Sequence, residues 1–403
     1  MRTLLLLSVA LLWVGEIAAQ DAALDITYRS GSSVIVEMGE FDGPAGEKVR
    51  SVLRANLARW ANVDFDAPSP DYHLTGQVNA VPGGLMLRLV LEDSLLDMVV
   101  EDVRFRLPRA ESAELRMAIH AVSDDVQEWL TGQRGFAATQ IAFVGHTPLG
   151  RGLHLVDSDG ENLTLLVDQS RPIVTPRWTS DGQRILYTTF LYGDARIVEL
   201  NLETMEERIL VERDGTNAGA IWGPRGCYLY FAGTVGSDTG ILRWSPGGGA
   251  EVLIHHPGSD AFSPAISGSS LVYVTDRSGI PQIRQFDLEA RREQRVRPFG
   301  RSTETQAPDI SPDADRIAVQ HRTSAGFQIG IYSRNGETGR ALTTMGNNRD
   351  PSFAPGGNFL VYRSDLGGHG LYIMDVEAGE RIRLTYGDFR YPAWSPVLLS
   401  ITE

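Results

Sequence analysis

From about residue 141 to the end of the chain a segment of about 44 residues recurs, a unit too short to bury a core alone. Each copy carries an apolar or aromatic anchor shortly after a Pro or Ala and before a turn of Gly, Pro, Ser or Asp. The anchors are Trp178, Trp222, Ile266, Ile310, Phe353 and Trp394, at intervals of 44, 44, 44, 43 and 41. Three further short runs rich in β-branched and aromatic residues follow each anchor, such as 184–190, 196–202 and 207–211 after Trp178. After Phe353 they are 359–363, 371–376 and 381–385. Four antiparallel strands per repeat predict a β-propeller blade, and no helical period competes in this half.

The two ends of the repeat region set the blade count. Residues 141–144, 153–156 and 163–167 supply a second, third and fourth strand with no anchor before them. Residues 391–397 supply an anchor strand with nothing after it. Joining them makes a sixth blade shared between the two ends, which closes the ring and removes its exposed sheet edges.

Residues 20–138 follow another pattern. Strands are predicted at 24–28, 33–38, 72–78, 85–91 and 98–107, and helices at 44–60 and 110–130. The fold class is therefore an α/β N-terminal domain followed by an all-β six-bladed propeller closed by its C-terminal strand. Before both, residues 1–19 read as a secretory signal peptide: Arg2, an apolar run over 4–14, and Ala18 and Ala19 at the expected cleavage site. The run is short of the roughly 20 residues that span a bilayer, and no later stretch approaches that length. The expected domains are thus 1–19, 20–138 and 139–403, exported to the periplasm as a soluble monomer.

The net charge of −14 argues against a phosphate-backbone ligand, and the single cysteine excludes a disulfide framework. Residues 20–139 hold 19 acids and 11 bases, so more than half of the excess negative charge lies on the smaller domain. That is either a solvated face or a surface for a basic partner. Cys227 is expected to be a small buried hydrophobe, and the anchors to be core.

No catalytic constellation emerges. A Gly-x-Ser-x-Gly elbow is missing, the eight histidines lack zinc-ligand spacing, and no cofactor or metal is expected. The pair His255-His256 is expected on a rim loop. His146 and His321 hold equivalent places in two blades, with rim positions expected. The paired acids Asp124-Asp125 and Glu206-Glu207 are expected on solvated faces. Near the anchors, the channel positions are mostly Thr, Ser, Gly and Pro.

The loops entering the innermost strands carry the distinctive chemistry. They span 214–219, 258–263, 301–306, 346–350 and 387–391, and their mix of Asn, Thr, Arg, Glu, Phe and Tyr suits a protein surface better than a small anion. Signal peptide, α/β domain, the junction Trp129-Leu-Thr-Gly-Gln-Arg-Gly135 running into Ile141-Ala-Phe-Val144, six blades and the terminal Pro392-Ala-Trp-Ser-Pro396 together resemble the TolB family, periplasmic propellers of the Tol-Pal system.

The resemblance implies a non-enzymatic adaptor that maintains outer-membrane integrity and supports envelope constriction. It implies that the lipoprotein Pal binds the propeller mouth, at Thr216, Asn217, Gly219, Asp260, Phe262, Ser263, Glu304, Asn347 and Arg349. A TolA-like inner-membrane protein would bind the N-terminal segment at Asp25, Ile26, Thr27, Tyr28 and Arg29. The alternative is a periplasmic propeller that binds or processes an oligosaccharide or peptide in its channel, which calls for acids or histidines on the channel floor.

Overall fold

The computed structural model of the 403-residue chain describes residues 33–60, 63–168, 170–191, 193–296 and 303–399. The expected signal peptide, the strand at 24–28 and the segment from Asp25 to Arg29 lie outside the described residues. The described chain forms two compact units, residues 33–138 with Leu399, and Thr139–Leu398.

The first unit is one sheet covered by two helices. Its elements are β1 (Val34–Asp42), α1 (Gly46–Trp60), β2 (Val63–Asp64), β3 (Tyr72–Val81), β4 (Gly84–Asp93), β5 (Met98–Leu107) and α2 (Glu114–Thr131). The strand order is β2-β1-β3-β4-β5, with β1 parallel to both neighbours and the last three antiparallel. Alternation along β4 sends Leu85, Leu87, Leu89 and Leu91 into the core, while Arg88 and Glu92 face solvent. Val49, Leu53 and Leu57 of α1 and Leu115, Ile119, Val122 and Val126 of α2 complete that core.

Asp124 and Asp125 depart from the expected solvated face, because both are buried. Asp124 has no exposed surface, and its carboxylate accepts the backbone N–H groups of Ala137 and Ala138 at 2.5 and 3.0 Å. Its own carbonyl accepts the N–H of Gly135 at 3.1 Å. The chain leaving α2 folds back over the helix and spends its donors there, a tertiary event that helical periodicity does not report. Burial pushes the Asp124 carboxyl up to about 6, against the pull of those two donors, His120 and Arg134. Asp125 is paired with Arg134.

The second unit is a ring of six four-stranded sheets. Blade I joins β29 (Arg390–Trp394) to β6 (Gln140–Thr147), β7 (Gly150–Asp157) and β8 (Thr164–Asp168). Blades II to VI run in sequence as β9–β12, β13–β16, β17–β20, β21–β24 and β25–β28. Their innermost strands are β9 (Ile173–Trp178), β13 (Asn217–Trp222), β17 (Ala261–Ser267), β21 (Thr305–Ile310) and β25 (Asn348–Phe353). The expected seam is present. Cys227 departs from expectation: it is exposed, because β14 (Leu229–Val235) begins two residues later and leaves it in the turn after β13.

Candidate functional site

Every innermost strand breaks its ladder at the same place. Three residues before each anchor stand Thr175, Gly219, Ser263, Ala307, Asp350 and Tyr391, all with φ between 46° and 65°. That left-handed residue and the next one oppose a single residue of the second strand, which is a β-bulge. The single residues are Tyr187, Phe231, Tyr273, Val319, Tyr362 and Phe143, and five of the six are among the largest fully buried side chains. In five blades the second bulged residue is Pro176, Pro264, Pro308, Pro351 or Pro392. Proline has no N–H to lose, so the bulge is where a sheet tolerates it.

Residues of all six bulges line a cavity of about 170 Å³. Thr175, Gly219 and Ser263 fit the expected lining of small residues, but Arg177, Gln306, Gln320, Asp350 and Tyr391 also reach it. The expectation read only the anchors' neighbours, whereas Gln320 arrives from β22 (Arg316–Thr323).

Gln320 and three side chains at or beside the bulges carry the backbone of the next blade. Gln320 accepts the N–H of Asp350 at 3.1 Å, and Thr188 that of Gly219 at 3.1 Å. Asp309 accepts the N–H of Phe353 at 2.7 Å, and Ser352 that of Trp394 at 3.2 Å. Burial raises the carboxyl groups of Asp309 and Asp350 above the usual range, opposed chiefly by Arg177 and the Phe353 N–H for the first and by Arg363, 3.0 Å away, for the second. Asp309 of blade V thus accepts from blade VI, while Asp350 of blade VI pairs within its blade and accepts the Tyr391 N–H of blade I.

At the mouth the structure brings Glu304, Asn347 and Arg349 together around Phe327. Arg349 stacks over that ring at 4.1 Å and donates Nε–H to Asn347 at 3.2 Å. Asn347 also accepts the Phe327 N–H at 3.2 Å, and Arg322 covers the ring at 4.5 Å while pairing with Glu304. Burial, with repulsion from Arg363, lowers the Arg349 pKa. Arg322 and Phe327 were not singled out in the sequence, because they flank the hairpin of a second and third strand and not an approach loop. Such hairpins end on the same face as those loops, which is the signal that could have found them.

The remaining mouth candidates divide by exposure. Thr216 is exposed, Asp260 and Phe262 are half-buried, and Gly219 and Ser263 sit in the bulges. Asp260 accepts the N–H of Thr239 at 2.8 Å, and Phe262 packs against the core shared by blades IV and V. Asn217 is fully buried and donates its amide to the carbonyls of Ala195 and Arg213 at 3.0 and 2.7 Å, so it braces its loop from within.

A family model described as the TolB beta propeller domain matches residues 127–398. The chain belongs to the TolB propeller family. The Tol-Pal system protein TolB of Bordetella parapertussis is 28% identical over 424 residues, covering 98% of this chain and 94% of its own. That of Nitrosomonas europaea is 27% identical and covers 96% of each chain. Among solved structures, TolB from Acinetobacter baumannii matches with a TM-score of 0.78 over 91% of this chain and 97% of its own, at 23% identity. A chain of a nidogen/laminin complex matches 65% of this chain at a TM-score of 0.52 and 10% identity, so the ring by itself carries no function. As a TolB family member the chain is a non-enzymatic protein.

Proposed function

We propose that the chain is a periplasmic adaptor of the Tol-Pal cell-envelope system. Pal docks on the mouth, where Thr216, Phe262, Glu304, Asn347 and Arg349 offer side chains and Gly219, Ser263 and Asp260 shape the surface, with Asn217 holding the loop. A TolA-like inner-membrane protein takes residues 25–29. The adaptor reaches the periplasm through a signal peptide cleaved after Ala19, and it serves outer-membrane integrity and constriction at division.

The observation that carries this reading is similarity over the whole length to Tol-Pal relatives, 98% of this chain against 94% of the Bordetella protein. The mouth supports it: a cation-aromatic cluster spread over two blades suits a protein surface. The channel reading finds less support, since a cavity of about 170 Å³ is below the size of usual ligand pockets, and the carboxylate that lines it, Asp350, is paired with Arg363 of its own blade.

Calorimetry on the mature chain and on a form starting at residue 31, against soluble Pal and the periplasmic part of TolA, tests the division of labour. The truncation is expected to abolish TolA binding and leave Pal affinity within about twofold. Loss of both, or of neither, overturns it.

A further inference from the structure

Large apolar side chains that face water are normally scattered. Here five sit together on one hairpin: Leu95, Leu96, Met98, Val99 and Val100, exposed by 89, 63, 59, 54 and 46%. The hairpin tip is fixed, since the Asp93 carboxylate accepts the N–H groups of Leu95 and Leu96 at 2.9 and 2.8 Å. The strand they lead into, β5, is the last of its sheet. It pairs with β4 along one side, and no strand among the described residues pairs with the other. An exposed edge strand is a template for a further strand, and chains blunt one with charge, proline, short length or a bulge. β5 has ten residues and neither lysine nor proline; a bulge at Val100 interrupts its ladder to β4, and its first charges, Glu101 and Asp102, are acidic, which repels acidic strands and admits a basic one.

The charge around the patch has one sign. Residues 92–102 hold Glu92, Asp93, Asp97, Glu101 and Asp102 and no base. Asp102 is matched by Arg88 of β4 at 2.6 Å, and the other four make no ion pair among the described residues. Covering this patch with the same hairpin of a second copy brings two acidic stretches together, and like charges facing each other are unfavourable. Beyond Asp102 the edge turns basic with Arg104 and Arg106, which ends the acidic stretch.

We infer that β5 docks an extended segment of a partner protein, added as a sixth strand along residues 98–102, apolar where it meets Met98 to Val100 and bearing Lys or Arg at its ends near Asp97 and Glu101. Main-chain hydrogen bonds supply the affinity and the charges select the partner. Its residues are not among those proposed to bind Pal or a TolA-like protein, and the inference stands if either of those assignments fails.

The probes are a peptide of alternating valine and threonine with lysine at each end, and its twin with glutamate at each end, titrated into the mature chain by fluorescence anisotropy. The lysine peptide is expected to bind at least about tenfold more tightly than its twin, about 1.4 kcal/mol. Val99→Lys should remove that preference, while Met205→Lys, at an exposed apolar position of the other unit, should leave it unchanged. On the unsubstituted chain, the lysine peptide should slow hydrogen exchange of the β5 amides, a readout that needs no variant. Equal binding of the two peptides, binding of neither, or unchanged exchange in β5 overturns the inference. Self-association of the chain that Val99→Lys dissolves also overturns it, by naming a second copy as the occupant.

Discussion

Trp394 and Thr139 lie 255 residues apart and share a hydrogen bond, the indole Nε1–H donating to Oγ1 at 2.9 Å. The next residue adds two more: Ser395 Oγ accepts the Gln140 N–H at 2.9 Å, and the Ser395 N–H donates to the Gln140 carbonyl at 2.9 Å. These bonds fasten the last strand of the ring to the first, so the last innermost strand holds the ring shut.

Trp394→Phe keeps most of the buried ring and removes the donor, and it should cost about 1–2 kcal/mol in urea unfolding. Removing residues 390–403 should do far more. It bares β6 as an open edge, and light scattering should then show aggregation that the full chain lacks.

Asp124 should give the stability a pH dependence of definite sign. Its carboxyl is raised to about 6 from the ordinary 3.8, so between those values the folded state holds more protons than the unfolded one. Its contribution is therefore largest in acid and is lost as pH rises through about 6. At about 1.4 kcal/mol per pH unit the loss is on the order of 3 kcal/mol. Asp124→Asn should flatten that part of the profile, as read by denaturant unfolding across the range. An unchanged slope would contradict the burial of this group.

Gly135→Ala should break the same clamp from the other side. A Cβ there would lie 2.4 Å from Asp124 Oδ1 and 2.9 Å from its Cα, and the backbone atom has no freedom to yield. A loss of about 1–3 kcal/mol is expected, with faster hydrogen exchange over residues 135–138.

Cys227 should react in the native state. A thiol reagent is expected to modify one group per chain with no change in circular dichroism, whereas a thiol that reacts only in denaturant would return it to the core.

The ring was legible in the sequence because its intervals follow from blade geometry, and the seam because two incomplete blades complete each other. The bulges were only half legible. The prolines at 176, 264, 308, 351 and 392 were visible, but the left-handed residue before each is glycine in none of those blades, so nothing in its identity reports its φ. Gly219, in the remaining blade, and Ser263 were singled out as mouth residues, but without the other four equivalents and without the shared bulge. At the mouth, Glu304, Asn347 and Arg349 were legible as loop residues, whereas Arg322 and Phe327 join them only through the fold. Asp124 and Cys227 were misplaced for related reasons: one is covered by a chain segment that local periodicity does not report, and the other falls just outside its strand.

The central claim is that Pal docks on the mouth around Phe327. Calorimetric titration of soluble Pal into the mature chain and into Arg349→Ala tests it most directly, with Arg381→Ala on an outer strand as the control. The account predicts that the unsubstituted chain and the control bind alike and that Arg349→Ala binds at least about tenfold more weakly with an unchanged Tm. Equal affinity for all three, or no binding of Pal by the unsubstituted chain, would contradict it.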